Sequence, residues 1–215
     1  MSLRRKTFLV ILFSVIVILV FWGVFAHTLY LKSYLLLESV DVREDAEHLL
    51  SMLDSRQADF SALCTDWAAW DDTYQFMSTH DPGFLESNFP EGTFENLDLN
   101  FALILDRRQD VQFQKAYDLE LERTIPLKAA LVDYFQSSDL TSMADETAFS
   151  GFLWDENAPV MYCVSPILTS GDQGPSRGWL VFGRYLQGDF LKQVEDSVSS
   201  VVTILPYDPA QIPTG

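Results

Sequence analysis

Hydrophobic and polar positions follow three different rhythms along the chain. From Phe8 to Ala26 the sequence reads FLVILFSVIVILVFWGVFA, apolar throughout and without a charge. That run is about the length a helix needs to cross a hydrocarbon core roughly 30 Å thick. From Thr28 to about Met77 there is neither proline nor glycine, and Leu36, Val40, Leu50, Leu53, Phe60 and Cys64 recur close to a helical period. Charged residues such as Glu38, Arg43, Glu44 and Glu47 fill the positions between them. This predicts a long amphipathic helix, roughly 75 Å if unbroken, stopped by Asp81-Pro82-Gly83.

Beyond that stop the rhythm shortens. The stretch from Gly83 to Asn100 is rich in Asn, Gly, Pro and Glu and is expected to be a loop. Phe101–Leu105 and Val111–Tyr117 form a predicted hairpin across DRRQD. Pro126–Gln136 has proline at the first position of a predicted helix. Strand-like runs follow at Ala148–Trp154, Val160–Leu168 and Trp179–Leu186, then a short helix over Gly188–Val198 and a last strand at Val201–Leu205. The fold class is therefore α+β, a membrane helix continuing into a long helix packed on an antiparallel sheet of five or six strands. The expected organisation is residues 1–7 cytoplasmic, 8–26 spanning, 27–80 the long helix, 81–208 the sheet domain and 209–215 a tail.

Charge sets the orientation. Arg4, Arg5 and Lys6 precede the apolar run, so the N-terminus is expected inside and the rest outside the inner membrane, in the periplasm or extracellular space. A secretory signal cleaved after Val24-Phe25-Ala26 is the alternative, but its apolar core usually spans only about 7–15 residues. The formal net charge of −17 argues against nucleic acid and against anionic lipid surfaces. In an oxidising compartment Cys64 and Cys163 could pair, closing a loop worth about 4–5 kcal/mol in the chain-entropy account; two free buried thiols are the alternative.

The densest chemistry lies in DWAAWDDTYQFM, Asp66 to Met77. On a helical wheel Phe60, Leu63, Trp67, Trp70, Asp71 and Tyr74 share one arc, Asp72 points away and Asp66 lies at the edge. Asp71 among rings needs a donor, and Arg184, on the strand face of Leu180 and Phe182, is a candidate. The rings either wedge the helix onto the sheet or cage a cation. Asn88, Asn96 and Asn100 could line a pocket or stabilise turns, and Tyr162 could face either side of the sheet. His27, His48 and His80 are scattered outside metal-ligand spacings, and no GxSxG, Walker or GxGxxG pattern occurs. No metal, cofactor or catalytic role is expected.

Asp66-Trp67-Ala68-Ala69-Trp70-Asp71-Asp72-Thr73-Tyr74, with Phe76, resembles the signature of the type-four CHASE domain. Ser87-Asn88, Asn96-Leu97-Asp98-Leu99-Asn100 before a strand ending in Asp106, Ser165-Pro166-Ile167-Leu168-Thr169-Ser170, and Gly183-Arg184-Tyr185-Leu186 resemble the family's spacing. The resemblance covers about Ser39 to Asp208. It implies a PAS/Cache-like extracellular sensory domain for an unidentified small ligand, in a membrane receptor with histidine kinase or diguanylate cyclase output. Family members normally continue into further strands, a second span and an effector, so the chain is expected to be the N-terminal part of such a receptor. The ligand candidates are Trp67, Trp70, Asp71, Tyr74, Asn88, Tyr162 and Arg184, with Asp66, Asp72, Thr73 and Phe76 as structural motif residues. The expected partners are an amine or other polar solute, the membrane, and a second copy in a parallel homodimer. A single-span interaction protein without a small ligand is the alternative.

Overall fold

Helix α1 (Leu3–Ala68) carries both of the first two sequence rhythms. The computed structural model describes residues 3–144, 147–156, 158–171, 173–198 and 202–206. The chain divides into two units, residues 1–50 and 51–215. In the first, the described rings of Phe13, Phe21 and Trp22 are 66–71% exposed, although Phe21 and Phe25 stack along the helix. No helical stretch among the described residues is long and apolar enough to cross a membrane, so the expected span is not shown by the fold. Leu36, Val40, Leu50 and Leu53 form the apolar seam expected to meet a second copy; the side chains of Leu36 and Val40 lie outside the described residues. Leu50 is exposed and Leu53 half-buried.

The second unit is built on a six-stranded antiparallel sheet, β1 (Phe101–Asp106), β2 (Val111–Asp118), β3 (Arg123–Ile125), β4 (Phe149–Asp155), β5 (Ala158–Pro166) and β6 (Gly178–Tyr185), in the order β3-β2-β1-β6-β5-β4. Both faces are covered. Ala102, Ile104, Met161, Cys163, Leu180 and Phe182 meet Phe60, Cys64 and Ala68 of α1 and the rings of three short helices. These are α2 (Asp71–Thr79), α3 (Pro82–Asn88) and α4 (Glu91–Asn96). Phe101, Leu103, Val164, Trp179 and Val181 meet Leu131, Phe135 and Leu140 on the other face, from α5 (Ala129–Ser137) and α6 (Leu140–Ala144). Helix α7 (Asp189–Val198) follows β6.

Several expectations change. The long helix does not continue to Met77. It ends at Ala68, Trp70 is extended (φ −80, ψ 138), and α2 restarts at Asp71. No glycine or proline marks this break. The Thr73 hydroxyl donates to the Trp67 carbonyl at 2.8 Å, satisfying an orphan acceptor of the last turn, while Asp71 and Asp72 favour the positive end of α2. The expected loop from Gly83 holds α3 and α4 instead. Asp81-Pro82-Gly83 both stops and starts a helix, because Asp81 accepts from the Gly83 N–H at 3.0 Å and Pro82 opens the turn. Helix α5 begins at Ala129, not at Pro126. The sixth strand is β3, not Val201–Leu205; residues 202–206 carry no regular structure, and Val201 and the tail beyond Pro206 lie outside the described residues.

Candidate functional site

The break after α1 folds Trp70 back onto Trp67, with ring centroids 4.5 Å apart. Trp67 also meets Phe89 at 5.5 Å and the edge of Phe182 at 5.8 Å, so it docks the helix end on β6 and α3. Phe76 is buried and stacks on Phe84 at 5.0 Å. Asp66 and Asp72 are exposed.

Asp71 is exposed, not desolvated among rings. The wheel that placed it there assumed a helix through Trp70. Its carboxylate accepts from the Ser170 N–H at 3.0 Å, and its own N–H donates to Ser170 Oγ at 3.3 Å, which clamps α2 to the β5–β6 connection. Arg184 does not reach it. The Arg184 guanidinium donates to the carbonyls of Asp98 and Leu97, both at 2.7 Å, and lies 5.1 Å above the Phe60 ring. The cation over Tyr74 is Arg177, 3.7 Å from the ring centroid, which also donates to the Tyr74 carbonyl and to Ser78. Arg177 thus covers one face of the Tyr74 ring, and Trp67 and Trp70 cover each other's facing sides.

The remaining candidates are scattered. Asn88 donates to the Phe84 carbonyl at 2.9 Å, a local helical contact. Tyr162 lies on the opposite face of the sheet, in edge contact with Phe135 and 3.3 Å from the Tyr134 hydroxyl. Cys64 and Cys163 are free buried thiols.

A cavity of about 1110 Å³ opens at the end of the sheet where β1 begins and β2 and β6 finish. Of the ligand candidates only Arg184 lines it; Asn100, weighed as a turn residue, lines it too. Asn100 is fixed there, its side-chain Oδ1 accepting from the Tyr185 N–H at 2.8 Å. Helix α1 contributes Arg56, which donates to Gln193 of α7 at 3.1 Å. At the centre is Asp155, 4% exposed, whose Oδ2 accepts from Lys128 at 2.8 Å and from the Tyr185 hydroxyl. Tyr117 donates to Glu95 on the same rim. Seven carboxylates line the cavity against four cationic side chains. Sequence reasoning missed Lys128, Asp155, Tyr185, Tyr117 and Glu95. The faint signal was the acidic Asp155-Glu156 turn and the DLELE run from Asp118, which read only as solvated connections. Among the described residues no three acidic, His or Cys side chains are grouped to hold a metal.

Three groups on the rim hold their protons more tightly than usual. The bond Tyr117 gives Glu95 pushes its phenol up; burial, then the bond to Asp155, does the same to Tyr185. Bonds to Asp155 and Glu156 push Lys128 up. Each group holds its proton more tightly folded than unfolded, so its stabilisation is complete below about pH 10 and is lost as pH rises through the folded values. Guanidinium unfolding from about pH 8 to about pH 12 should show a plateau and then a fall, shallower in Tyr185→Phe. A fall that starts below about pH 9 would assign alkaline instability to other groups.

A family model described as the CHASE4 domain matches residues 52–204. The methanogenesis regulatory histidine kinase FilI of Methanothrix harundinacea is 23% identical over 153 residues, which is 71% of this chain and 17% of that kinase. The domain of a sensory box/GGDEF family protein from Vibrio parahaemolyticus superposes with a TM-score of 0.51 at 13% identity, over 71% of this chain and 61% of that one. The periplasmic domain of Vibrio cholerae LuxQ is a weaker likeness, with a TM-score of 0.43 at 13% identity over 71% and 69% of the two chains. The chain belongs to the CHASE4 family of sensory domains.

Proposed function

We propose that this is the ligand-sensing part of a membrane receptor, anchored by residues 8–26 with its N-terminus inside, and that the ligand is a small organic cation bound in the cavity beside Asp155. The cavity carries the reading, because its four cations have fewer charges than its seven carboxylates, and Arg56, Lys128 and Arg184 donate to groups of the protein itself. Glu120 and Glu122 stand on its rim without a cationic partner among the described residues. An amine entering there would pair with them while Tyr185 and Phe190 supply apolar wall. Apolar rings exposed to the extent of Phe21 and Trp22 support the anchor, since bare aromatic surface on this scale is unfavourable in water.

Arg56 links the cavity to α1, so a ligand that binds one arrangement of Arg56 and Gln193 better than another would bias the helix toward the bilayer. The output on the inner side, a histidine kinase or a diguanylate cyclase, is part of the same proposal, and so is a parallel dimer along α1.

Thermal melting of the whole chain in detergent micelles tests the reading, using mono-, di- and polyamines beside amino acids, carboxylates and sugars. A cation at about 100 times its Kd should stabilise by about 2.7 kcal/mol. Glu120→Gln with Glu122→Gln should abolish that shift without changing the unliganded midpoint. Asp71→Asn should leave it intact, because Asp71 is spent on Ser170. A flat response across all amines, or a shift that survives the double variant, would reject the cavity as the cation site.

A further inference from the structure

Cys64 and Cys163 face each other across the interface between α1 and the sheet, and both are fully buried. The Cys64 thiol drops onto the sheet, 3.6 Å from the Cys163 carbonyl and 3.7 Å from that of Leu180 on the neighbouring strand. The Cys163 thiol rises to α1, 3.7 Å from Ser61 Oγ and 4.0 Å from the Ser61 carbonyl, one turn before Cys64. Each side chain thus crosses to the element that carries the other cysteine, Cys64 to β5 and Cys163 to α1.

We infer that this pair is a redox lock, a dithiol that oxidises to a disulfide and then ties α1 covalently to β5. Burial pushes the Cys64 thiol well up, whereas the hydrogen bond from Cys64 lowers Cys163. These shifts belong to the docked state; once α1 is released either thiol can open the exchange, for example Cys163. Its thiolate attacks one sulfur of a small disulfide oxidant, whose S–S bond breaks, and the first thiol leaves with a proton. Cys64, as thiolate, attacks the Cys163 sulfur of the mixed disulfide and expels the second thiol. Two protein thiols are oxidised and one external disulfide is reduced. Because both sulfurs are buried, the exchange proceeds before α1 docks or during its transient release. The chemistry is independent of the cavity's ligand; only its consequence, a helix that can no longer shift against the sheet, rests on the sensory reading.

The test uses the whole chain, reduced, unfolded in guanidinium and refolded by dilution into detergent micelles with reduced and oxidised glutathione. The product is alkylated under denaturing conditions, digested and weighed. The expected product has no alkylatable thiol, one cross-linked peptide pair joining Cys64 to Cys163, and a melting point about 10 °C above the reduced chain. Cys64→Ser and Cys163→Ser should each lose both the cross-link and the rise. Two alkylated cysteines, glutathione adducts alone, or cross-links between chains would overturn the lock. A chain that binds no amine yet forms the cross-link would reject the cavity reading and keep this one.

Discussion

Trp67→Ala is expected to cost about 3 kcal/mol, the lower end for truncating a large buried aromatic, because the indole is partly open to solvent. Its three ring partners come from separate segments, Trp70 after the helix break, Phe89 after α3 and Phe182 in β6. Truncation would therefore loosen the corner where α1 is pinned, not just one contact. Trp70→Ala, which removes one stacked neighbour, should cost less, about 1–2 kcal/mol. Denaturant unfolding of both variants checks the order. If Trp67→Ala lost under about 1 kcal/mol, the corner would not be a packing device and the ring would be free to serve a ligand.

Gly178→Ala should be at least as damaging, for a different reason. Gly178 sits at φ 151, and a Cβ there would lie 2.0 Å from the Leu105 carbonyl oxygen and 2.9 Å from Asp106 Cα. Both are backbone atoms of β1, the strand that Gly178 pairs with, so no side-chain rotation relieves the clash. Strands β1 and β6 are the central pair of the sheet. Separating them at this end would also disturb the bond from the Ile167 N–H to the Gly178 carbonyl. A loss of about 3 kcal/mol or more, or failure to fold, is expected. Gly171→Ala in the same connection is the control. Nothing lies closer than 3.9 Å to its Cβ, and it should stay within about 0.5 kcal/mol of the parent. Equal behaviour of the two variants would mean that the β1–β6 approach is slack.

The break at Trp70 shows where local reading fails. Residues 28–77 contain nothing that ends a helix, and the wheel accordingly put Trp70 and Asp71 on the arc of Phe60. The helix ends because more is gained outside it. Trp70 stacks on Trp67, Thr73 caps the exposed carbonyl, and Asp71 clamps Ser170 some hundred residues away. Tyr162 fails differently. Strand β5 is buried on both faces from Val160 to Pro166, so alternation cannot say which layer a side chain joins.

The residues by themselves determined the helix-then-sheet order, the strand runs of β1, β2, β4, β5 and β6, the punctuation at Asp81-Pro82-Gly83 and the family, because periodicity, turn chemistry and a compact motif are local properties. Tertiary structure decided the rest. Placing β6 beside β1 gathered Glu95, Tyr117, Lys128, Asp155 and Tyr185 into one polar cavity and set Cys64 on Cys163. Strand order acts between segments remote in the chain, and no spacing along a single segment encodes it.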